Sequence, residues 1–255
     1  MWDNPRSLNL AANALFVLFG LVLVASAIYA LVRSPAFPIK VIRVEGALTR
    51  VEQDDIVEIL QRRLRGTFFT VDLELVRDLF ESVPWVRRAV VRRTWPNRLD
   101  VQIEEHVALA RWGRGDEKRL VNVYGEGFDI QVLNDSDAKL PQLSGPAGSE
   151  AEVARAFVEF ARILQPLRQD LRQVLLSERY SWQLRMDSGL VVQLGRDLAK
   201  DGVNDRLVRF VEYYPKTLGG LNRRHEYADL RYSNGIVLRV PGLQRAEEKS
   251  AKPKV

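Results

Sequence analysis

Few side chains in this sequence have the type and spacing that catalysis or metal binding requires. The two histidines, His106 and His225, lie far apart, and neither has a partner at a metal-ligand spacing such as H-x-x-x-H. Glu104 and Glu105 could form the acid pair of a hydrolase, but neighbours on a strand point to opposite faces and cannot converge on one bond. Gly125-Glu126-Gly127 lacks the third glycine of a dinucleotide-binding loop and is therefore predicted to be a turn.

The composition narrows the function further. The 255 residues include no cysteine, which excludes disulfides, thiolate zinc sites and a cysteine nucleophile. The 38 Lys and Arg residues exceed the 33 Asp and Glu residues by five, and the two signs are interleaved along the chain. Nucleic-acid binders concentrate their basic residues on one face. We therefore expect a binding protein that is not an enzyme, has no metal or cofactor, and does not bind nucleic acid.

One apolar segment near the N-terminus is long enough to cross a membrane. Ala14 to Val32 contains no charged residue, and a helix needs about 20 apolar residues to span a bilayer. Ala25-Ser26-Ala27 offers an alternative interpretation as the cleavage site of a secretory signal, but the apolar character continues past it. The pattern favours a cytoplasmic tail at 1–13 and a transmembrane helix at 14–33. Charges flanking the helix indicate orientation only weakly, and a large translocated domain is the default.

Residues 37–106 have the pattern of a strand, two helices and two strands. Ile39 to Glu45 predicts the first strand, Thr49 with Glu52 the start of a helix, and Asp72 the cap of a second helix. A hairpin follows, formed by Val86 to Thr94 and Leu99 to Glu104. The order predicts one compact α+β unit.

Charge and hydrophobicity together predict the register of this hairpin. Pairing Val91 with Val101, and Ala89 with Ile103, places apolar side chains together. The same register sets an arginine opposite an acidic residue at two further positions, Arg92 with Asp100 and Arg88 with Glu104.

Residues 107–242 predict a second, β-rich unit covered by two helices. The first helix starts at a capping box formed by Ser149 and Glu152, and the second runs to Pro215. The predicted strands lie before, between and after the helices: Leu120 to Val123, Leu171 to Leu176, Ser181 to Met186, Leu190 to Leu194, Tyr227 to Arg231 and Ile236 to Val240. Residues 243–255 are rich in Glu, Lys, Ala and Pro, which predicts disorder.

Several short sequence segments resemble those of the FtsQ/DivIB family of bacterial cell-division proteins. The resemblance holds in order and spacing over nearly the whole chain. The resembling segments are Gly66-Thr67-Phe68-Phe69, Pro84-Trp85-Val86, Arg93 to Asn97, Glu105 to Trp112, Leu143 to Ser149, Ser181 to Leu184, Arg206 to Pro215 and Tyr227 to Gly235.

This resemblance implies a fold and a function. The fold is α+β: an N-terminal transmembrane helix, a POTRA domain (β-α-α-β-β) and a mixed β domain with two covering helices. The protein would lie in the inner membrane at the division septum, with the large part in the periplasm. It would bind FtsB and FtsL and, with other divisome proteins, contribute to control of septal wall synthesis without catalysis.

The resemblance also implies a binding site in which the end of the β domain receives a partner segment as an added strand. An edge strand offers unpaired N–H and C=O groups for this. The implied residues are Arg231, Tyr232, Asn234, Gly235, Ile236, Val237 and Leu238. The alternative is that Tyr232 packs at a hairpin corner beside an ordinary turn.

Two further residues and one further function remain open at this point. Arg88 and Arg92 are candidates for contact with another division protein, although a solvated hairpin face also explains them. A POTRA-bearing component of protein transport or outer-membrane assembly is the alternative function. Transport proteins present POTRA domains in tandem or before a β-barrel, whereas this sequence predicts one such unit and no barrel-length run of strands.

Overall fold

The computed structural model describes residues 5–34, 37–51, 56, 64–115, 117–199, 201–217, 226–232 and 235–239. The chain divides into two compact units, Met1–Glu105 and His106–Val255, each with its own hydrophobic cluster. Helices and strands are both present in each unit, so the predicted α+β class is confirmed. His225, Asn234 and the predicted tail at 243–255 lie outside the described residues.

The first unit begins with a long apolar helix, α1 (Pro5–Val32). Its stretch from Ala12 to Val32 has a mean hydropathy of 2.7 and none of it is buried. A helix satisfies its own backbone hydrogen bonds, which is the condition for crossing lipid. The helix is therefore long and apolar enough to span a membrane once.

A small sheet and a helix follow α1. Strand β1 (Val41–Glu45) lies parallel to β3 (Arg98–Glu105), and β3 pairs antiparallel with β2 (Val86–Thr94), so the order is β1-β3-β2. Helix α2 (Leu73–Glu81) packs its buried residues against this sheet. It starts where predicted, because the Asp72 carboxylate accepts hydrogen bonds from the first backbone N–H groups of the helix.

The predicted register of the hairpin is confirmed at all four pairs. Val91 lies opposite Val101, Ala89 opposite Ile103, Arg92 opposite Asp100 and Arg88 opposite Glu104. The ion pairs nevertheless form between other residues: Arg87 binds Glu104 at 2.8 Å and Arg98 binds Asp100 at 2.9 Å. Strand pairing therefore determines which residues lie opposite each other. The arginine side chains are long enough to form ion pairs with acidic residues other than the one directly opposite.

Glu105 has a structural role in this unit. Its carboxylate accepts hydrogen bonds from the backbone N–H groups of Thr49, Arg50 and Val51, at 2.9 to 3.3 Å. The helix predicted to follow Thr49 lies outside the described residues except for Ile56, which is helical and buried. An acidic side chain bound to three N–H groups anchors the backbone of this segment.

The second unit is built on a nine-stranded mixed sheet. Its elements are β4 (Ala108–Trp112), β5 (Arg119–Asn122), β6 (Gly127–Asp129), α3 (Asp135–Ala138), β7 (Gln142–Ser144), α4 (Glu150–Leu164), a 3-10 turn (Gln165–Leu167), β8 (Leu171–Leu176), β9 (Ser181–Met186), β10 (Val191–Arg196), α5 (Val203–Thr217), β11 (Tyr227–Asp229) and β12 (Val237–Arg239).

The strand order β12-β11-β10-β9-β8-β7-β4-β5-β6 places the last strand of the chain at one edge of the sheet. Helices α4 and α5 cover the sheet, with Phe160 and Phe210 fully buried. Phe160 packs edge-to-face on Trp182 with ring centroids 5.5 Å apart. Full burial of each such side chain contributes about 1.5–3 kcal/mol to the stability of the fold. Packing of the two helices therefore stabilises the sheet on which the candidate site lies.

The predicted capping box at the start of α4 is wrong. Ser149 makes no side-chain cap, because its hydroxyl donates to the carbonyl oxygen of Pro146 at 2.6 Å instead. The hydroxyl group that was predicted to cap the helix therefore forms a hydrogen bond within the preceding turn. The helix itself is present over the predicted residues, supported by the burial of Val153, Phe160 and Leu164.

Candidate partner-binding edge

Strand β12 forms one edge of the sheet in the second unit. It pairs antiparallel with β11, with Val237 opposite Asp229, Leu238 opposite Ala228 and Arg239 opposite Tyr227. Within the described residues no strand pairs with the outer side of β12. An edge of this kind presents main-chain donors and acceptors to another chain.

The pairing of β11 determines which residues of β12 face outward. Leu230 donates its N–H to the Gln193 carbonyl at 2.9 Å, and the Glu226 carbonyl accepts from Val191 at 3.0 Å. The Leu230 N–H and the Glu226 carbonyl therefore point toward β10, as do the backbone groups of Ala228 between them, whereas the Glu226 N–H, just before β11, donates to the Arg239 carbonyl of β12 at 3.3 Å. Because backbone groups alternate along a strand, Tyr227 and Asp229 face β12.

The alternation continues across β12. Arg239 and Val237 lie opposite Tyr227 and Asp229 and point their backbone groups inward. The N–H and C=O groups of Leu238 consequently point away from the sheet, and continued alternation gives Ile236, the residue before β12, the same direction. Those two residues are the ones whose backbones an added strand would engage.

The side chains at this edge divide between core and surface. Ile236 and Leu238 pack against the hydrophobic cluster of the second unit. Val237 is 53% exposed and Tyr232 is 58% exposed. Large exposed apolar side chains beside an open strand edge are typical of an interaction site.

Arg231 is held in a fixed position by Asp229. Its Nε and Nη2 atoms donate to the two carboxylate oxygens at 2.9 and 2.7 Å, and its backbone N–H donates at 3.0 Å. These hydrogen bonds hold the pKa of Asp229 below its usual value and raise the pKa of Arg231. A bidentate pair with a buried carboxylate orients the guanidinium group, which stays half exposed.

A bulge in β10 makes room for this arginine. The pairing of β10 with β9 shifts register between Gln193 and Gly195, and Gly195 has φ +81°. A methyl group at this position would lie 2.8 Å from Cγ of Arg231. Glycine is therefore required both by the backbone conformation and by the close approach of the arginine.

A groove lies next to the edge, between α5 and the end of the sheet. Its volume is about 290 Å³. The lining residues are Arg206, Arg209, Tyr213, Leu230, Tyr232, Gly235 and Ile236. The structure thus brings the predicted residues Tyr232, Gly235 and Ile236 together, and it adds three residues of α5 that the sequence prediction did not include.

The floor of this groove, Arg206, is a buried arginine. Only 2% of its side chain is exposed, and it donates to Asp201 Oδ2 at 2.7 Å and to the carbonyl of Leu194 at 2.5 Å. Further bonds reach the carbonyls of Arg196 and Asp201 at 2.9 and 2.6 Å. Arg209, 42% exposed, binds the other Asp201 oxygen at 2.8 Å. The groove therefore has two guanidinium groups sharing one carboxylate.

Lowering the pH is expected to loosen this site. Hydrogen bonds from Arg206 and Arg209 lower the pKa of Asp201, and Asp229 is shifted in the same direction, from an ordinary value of 3.8. A carboxylate with a depressed folded-state pKa contributes stability that is present above 3.8 and is lost as the pH falls through the folded pKa. The melting temperature of the second unit should fall steeply below about pH 4.

Circular dichroism of the full chain at a series of pH values measures this effect. Asp201→Asn removes one of the two groups and should flatten the dependence, while an unchanged slope in that variant would show that Asp201 makes no such contribution. Asp187→Asn, in the exposed turn between β9 and β10, serves as the matched control.

The two arginines predicted on the hairpin lie on the surface of the first unit. Arg88 and Arg92 are both exposed on β2, which is an edge strand of its sheet. Arg88, but not Arg92, lines a second groove of about 510 Å³ between α2 and β2. Their contact with another division protein stays a prediction.

Two family patterns match the chain. The family described as POTRA domain, FtsQ-type, matches residues 37–106, and the family described as Cell division protein FtsQ/DivIB, C-terminal, matches residues 110–231. With α1 in front of them, they define a protein with one candidate membrane helix, a POTRA-type domain and a β-rich domain. This architecture fits a single-pass protein of the inner membrane.

Similar proteins place the chain in one family. Cell division protein FtsQ of Burkholderia pseudomallei is 42% identical over 96% of each chain. The protein of the same name in Nitrosospira multiformis is 38% identical over 94% of this chain and 99% of its own. That of Escherichia coli is 33% identical over 79% of this chain and 72% of its own. The chain belongs to the FtsQ/DivIB family of cell-division proteins. The similar proteins are named as cell-division proteins and not as enzymes.

Proposed function

We propose that this protein is a non-catalytic scaffold of the division complex that binds FtsB and FtsL through β12 and the adjoining groove. By holding these proteins at the septum it links early and late steps of divisome assembly and helps to control septal wall synthesis. The observation that supports this most directly is the open edge of β12, where outward backbone groups lie beside the exposed Tyr232.

The proposed topology places the binding edge outside the cytoplasm. Residues 1–13 lie in the cytoplasm, 14–33 cross the inner membrane, and the POTRA domain at 37–106 and the β domain at 107–242 lie in the periplasm. The apolar helix and the absence of cysteine from the sequence are both compatible with this arrangement.

The groove indicates the chemistry of the bound segment. An extended strand gains main-chain hydrogen bonds from Ile236 and Leu238, and alternate side chains supply the specificity. Tyr232 and Leu230 offer apolar contact for one side chain of that segment. Because Arg206 and Arg209 share the single carboxylate of Asp201, an acidic side chain of the partner complements the remaining charge.

Purification from native membranes tests the proposal. The tagged full chain is expected to bring FtsB and FtsL with it. Ile236→Pro should lose them, because proline removes one outward N–H and leaves its acceptor on the partner unpaired, a loss of about 1–3 kcal/mol. Such a loss corresponds to an affinity that is about 5- to 150-fold lower.

Ile236→Ala is the matched control, since it shortens the same side chain and keeps the N–H. Retention of both partners by the alanine variant and their loss from the proline variant support strand addition. Recovery of neither protein with the wild-type chain would contradict the proposed function as a whole.

A further inference from the structure

The end of α1 is joined to a loop of the POTRA-type domain within the first unit. The Thr67 hydroxyl donates to the carbonyl of Val32, the last residue of α1, at 3.1 Å. Phe68 donates its N–H to the carbonyl of Phe37 at 2.9 Å. The Phe37 and Phe69 rings pack edge-to-face with centroids 5.2 Å apart. The loop at 67–70 therefore lies beside the point where the apolar helix ends.

The turn between β2 and β3 lies at the same end of the domain. Lys40 donates its N–H to the carbonyl of Asn97 at 2.9 Å, and the next residue, Val41, pairs with Arg98. Strand β1 runs away from α1, so its first residue and this turn face the helix end. Trp95, in the turn, is 75% exposed, and Phe69 is 42% exposed.

Exposed basic side chains belong to the same segments: Arg65 precedes Phe69 by four residues, and Lys40 is bonded through its backbone to the turn that holds Trp95. Arg33, Lys40 and Arg65 are all exposed, and Arg33 places its guanidinium group 4.4 Å from the centre of the Tyr29 ring. Asp72, an acidic residue just after the loop at 67–70, is engaged in capping α2. Tryptophan and other aromatic rings at headgroup level, with basic side chains beside them, are typical of residues at a membrane interface.

We propose that this end of the POTRA-type domain, formed by Trp95, Phe69, Lys40 and Arg65, is immersed in the headgroup region of the bilayer that α1 crosses. Covalent continuity and the Thr67–Val32 hydrogen bond fix the patch at the end of a membrane helix, where lipid is the available neighbour. The domain is thereby held against the membrane surface instead of moving freely on its linker. This inference requires a spanning α1 but does not depend on binding of FtsB or FtsL.

The absence of cysteine makes a direct test possible, because each introduced cysteine is unique. Phe69→Cys and Trp95→Cys, each carrying a nitroxide label, are compared in the full chain in nanodiscs of phosphatidylethanolamine and phosphatidylglycerol. Ala47→Cys is the matched control: it is exposed just after β1, at the opposite end of the same sheet. The measurement is the ratio of collision rates with oxygen, which concentrates in lipid, and with a water-soluble nickel complex.

A higher oxygen-to-nickel ratio at positions 69 and 95 than at 47 is expected. A further Trp95→Ser substitution in the Phe69→Cys chain should lower the ratio at position 69, since Trp95 holds the patch in the interface. Equal ratios at all three positions would overturn the proposal and leave the domain in water. Protection of positions 69 and 95 from both reagents would also overturn it, because that result indicates cover by protein.

Discussion

Replacing Tyr232 by alanine is expected to weaken binding of the FtsB–FtsL pair by about 2–4 kcal/mol, the range of a hot-spot aromatic residue. This is about 30- to 1,000-fold in the dissociation constant. Tyr232 is 58% exposed and lines the groove beside the outward backbone of Ile236. Its ring thus loses water only when a partner covers it, so its truncation should affect binding much more than folding.

The measurement is the dissociation constant of the purified full chain in nanodiscs with the FtsB–FtsL pair. Tyr124→Ala is the matched control: Tyr124 is also 58% exposed and lies in the turn between β5 and β6, at the other edge of the same sheet. Equal effects of the two substitutions would show that the open edge at β12 is not the binding site.

Where two independent signals agreed, the sequence was sufficient to predict the structure. In the hairpin of β2 and β3, apolar alternation and opposed charges favour the same register, and a slip of one residue would expose Val101 and Ile103. The register is confirmed at every predicted pair. Strand β9 is likewise found at its predicted bounds, because its six residues are enough to show a period of two in Trp182, Leu184 and Met186. Strand β8 also matches its predicted bounds, although its apolar residues do not alternate.

Short strands and their order could not be predicted in this way. Strands β6 and β7 have three residues each, too few to display a period, and β7 joins β4 to β8 by parallel pairing. The edge position of β12 likewise depends on pairings between segments distant in sequence. Only the resemblance to a known family suggested that the last strand lies at an edge of the sheet.

The residues of α5 in the groove were missed because an amphipathic pattern was interpreted as core alone. Val203, Leu207 and Phe210 do lie in the core. Arg206 falls on the same face of the helix, three residues after Val203, and a charged residue on an apolar stripe is the signal that could have revealed it. Arg209 and Tyr213 follow at spacings of three and four residues and so line the same groove.

Replacing Arg206 by alanine is expected to destabilise the second unit by about 3–5 kcal/mol, the loss caused by breaking a buried ion pair. The side chain is 2% exposed and donates hydrogen bonds to Asp201 and to the carbonyls of Leu194 and Arg196. The carbonyls of Leu194 and Arg196 would lose these donors while Asp201 keeps Arg209, and a buried acceptor left unpaired accounts for about 1–3 kcal/mol of that loss. Lysine cannot restore the bonds, because it lacks the planar fork of five donors.

Hydrogen exchange of the full chain, read in peptides from β10 and α5, measures the loss. Protection in these peptides should fall by at least about a hundredfold, while peptides from β2 and β3 in the first unit stay unchanged. Arg209→Ala removes the other guanidinium group on Asp201, but its side chain is 42% exposed and its loss should cost no more than about 1 kcal/mol. Equal, small effects of the two substitutions would contradict the buried network. With the predicted difference, Arg206 supports the floor of the groove, and Arg209 is left accessible to meet an acidic partner.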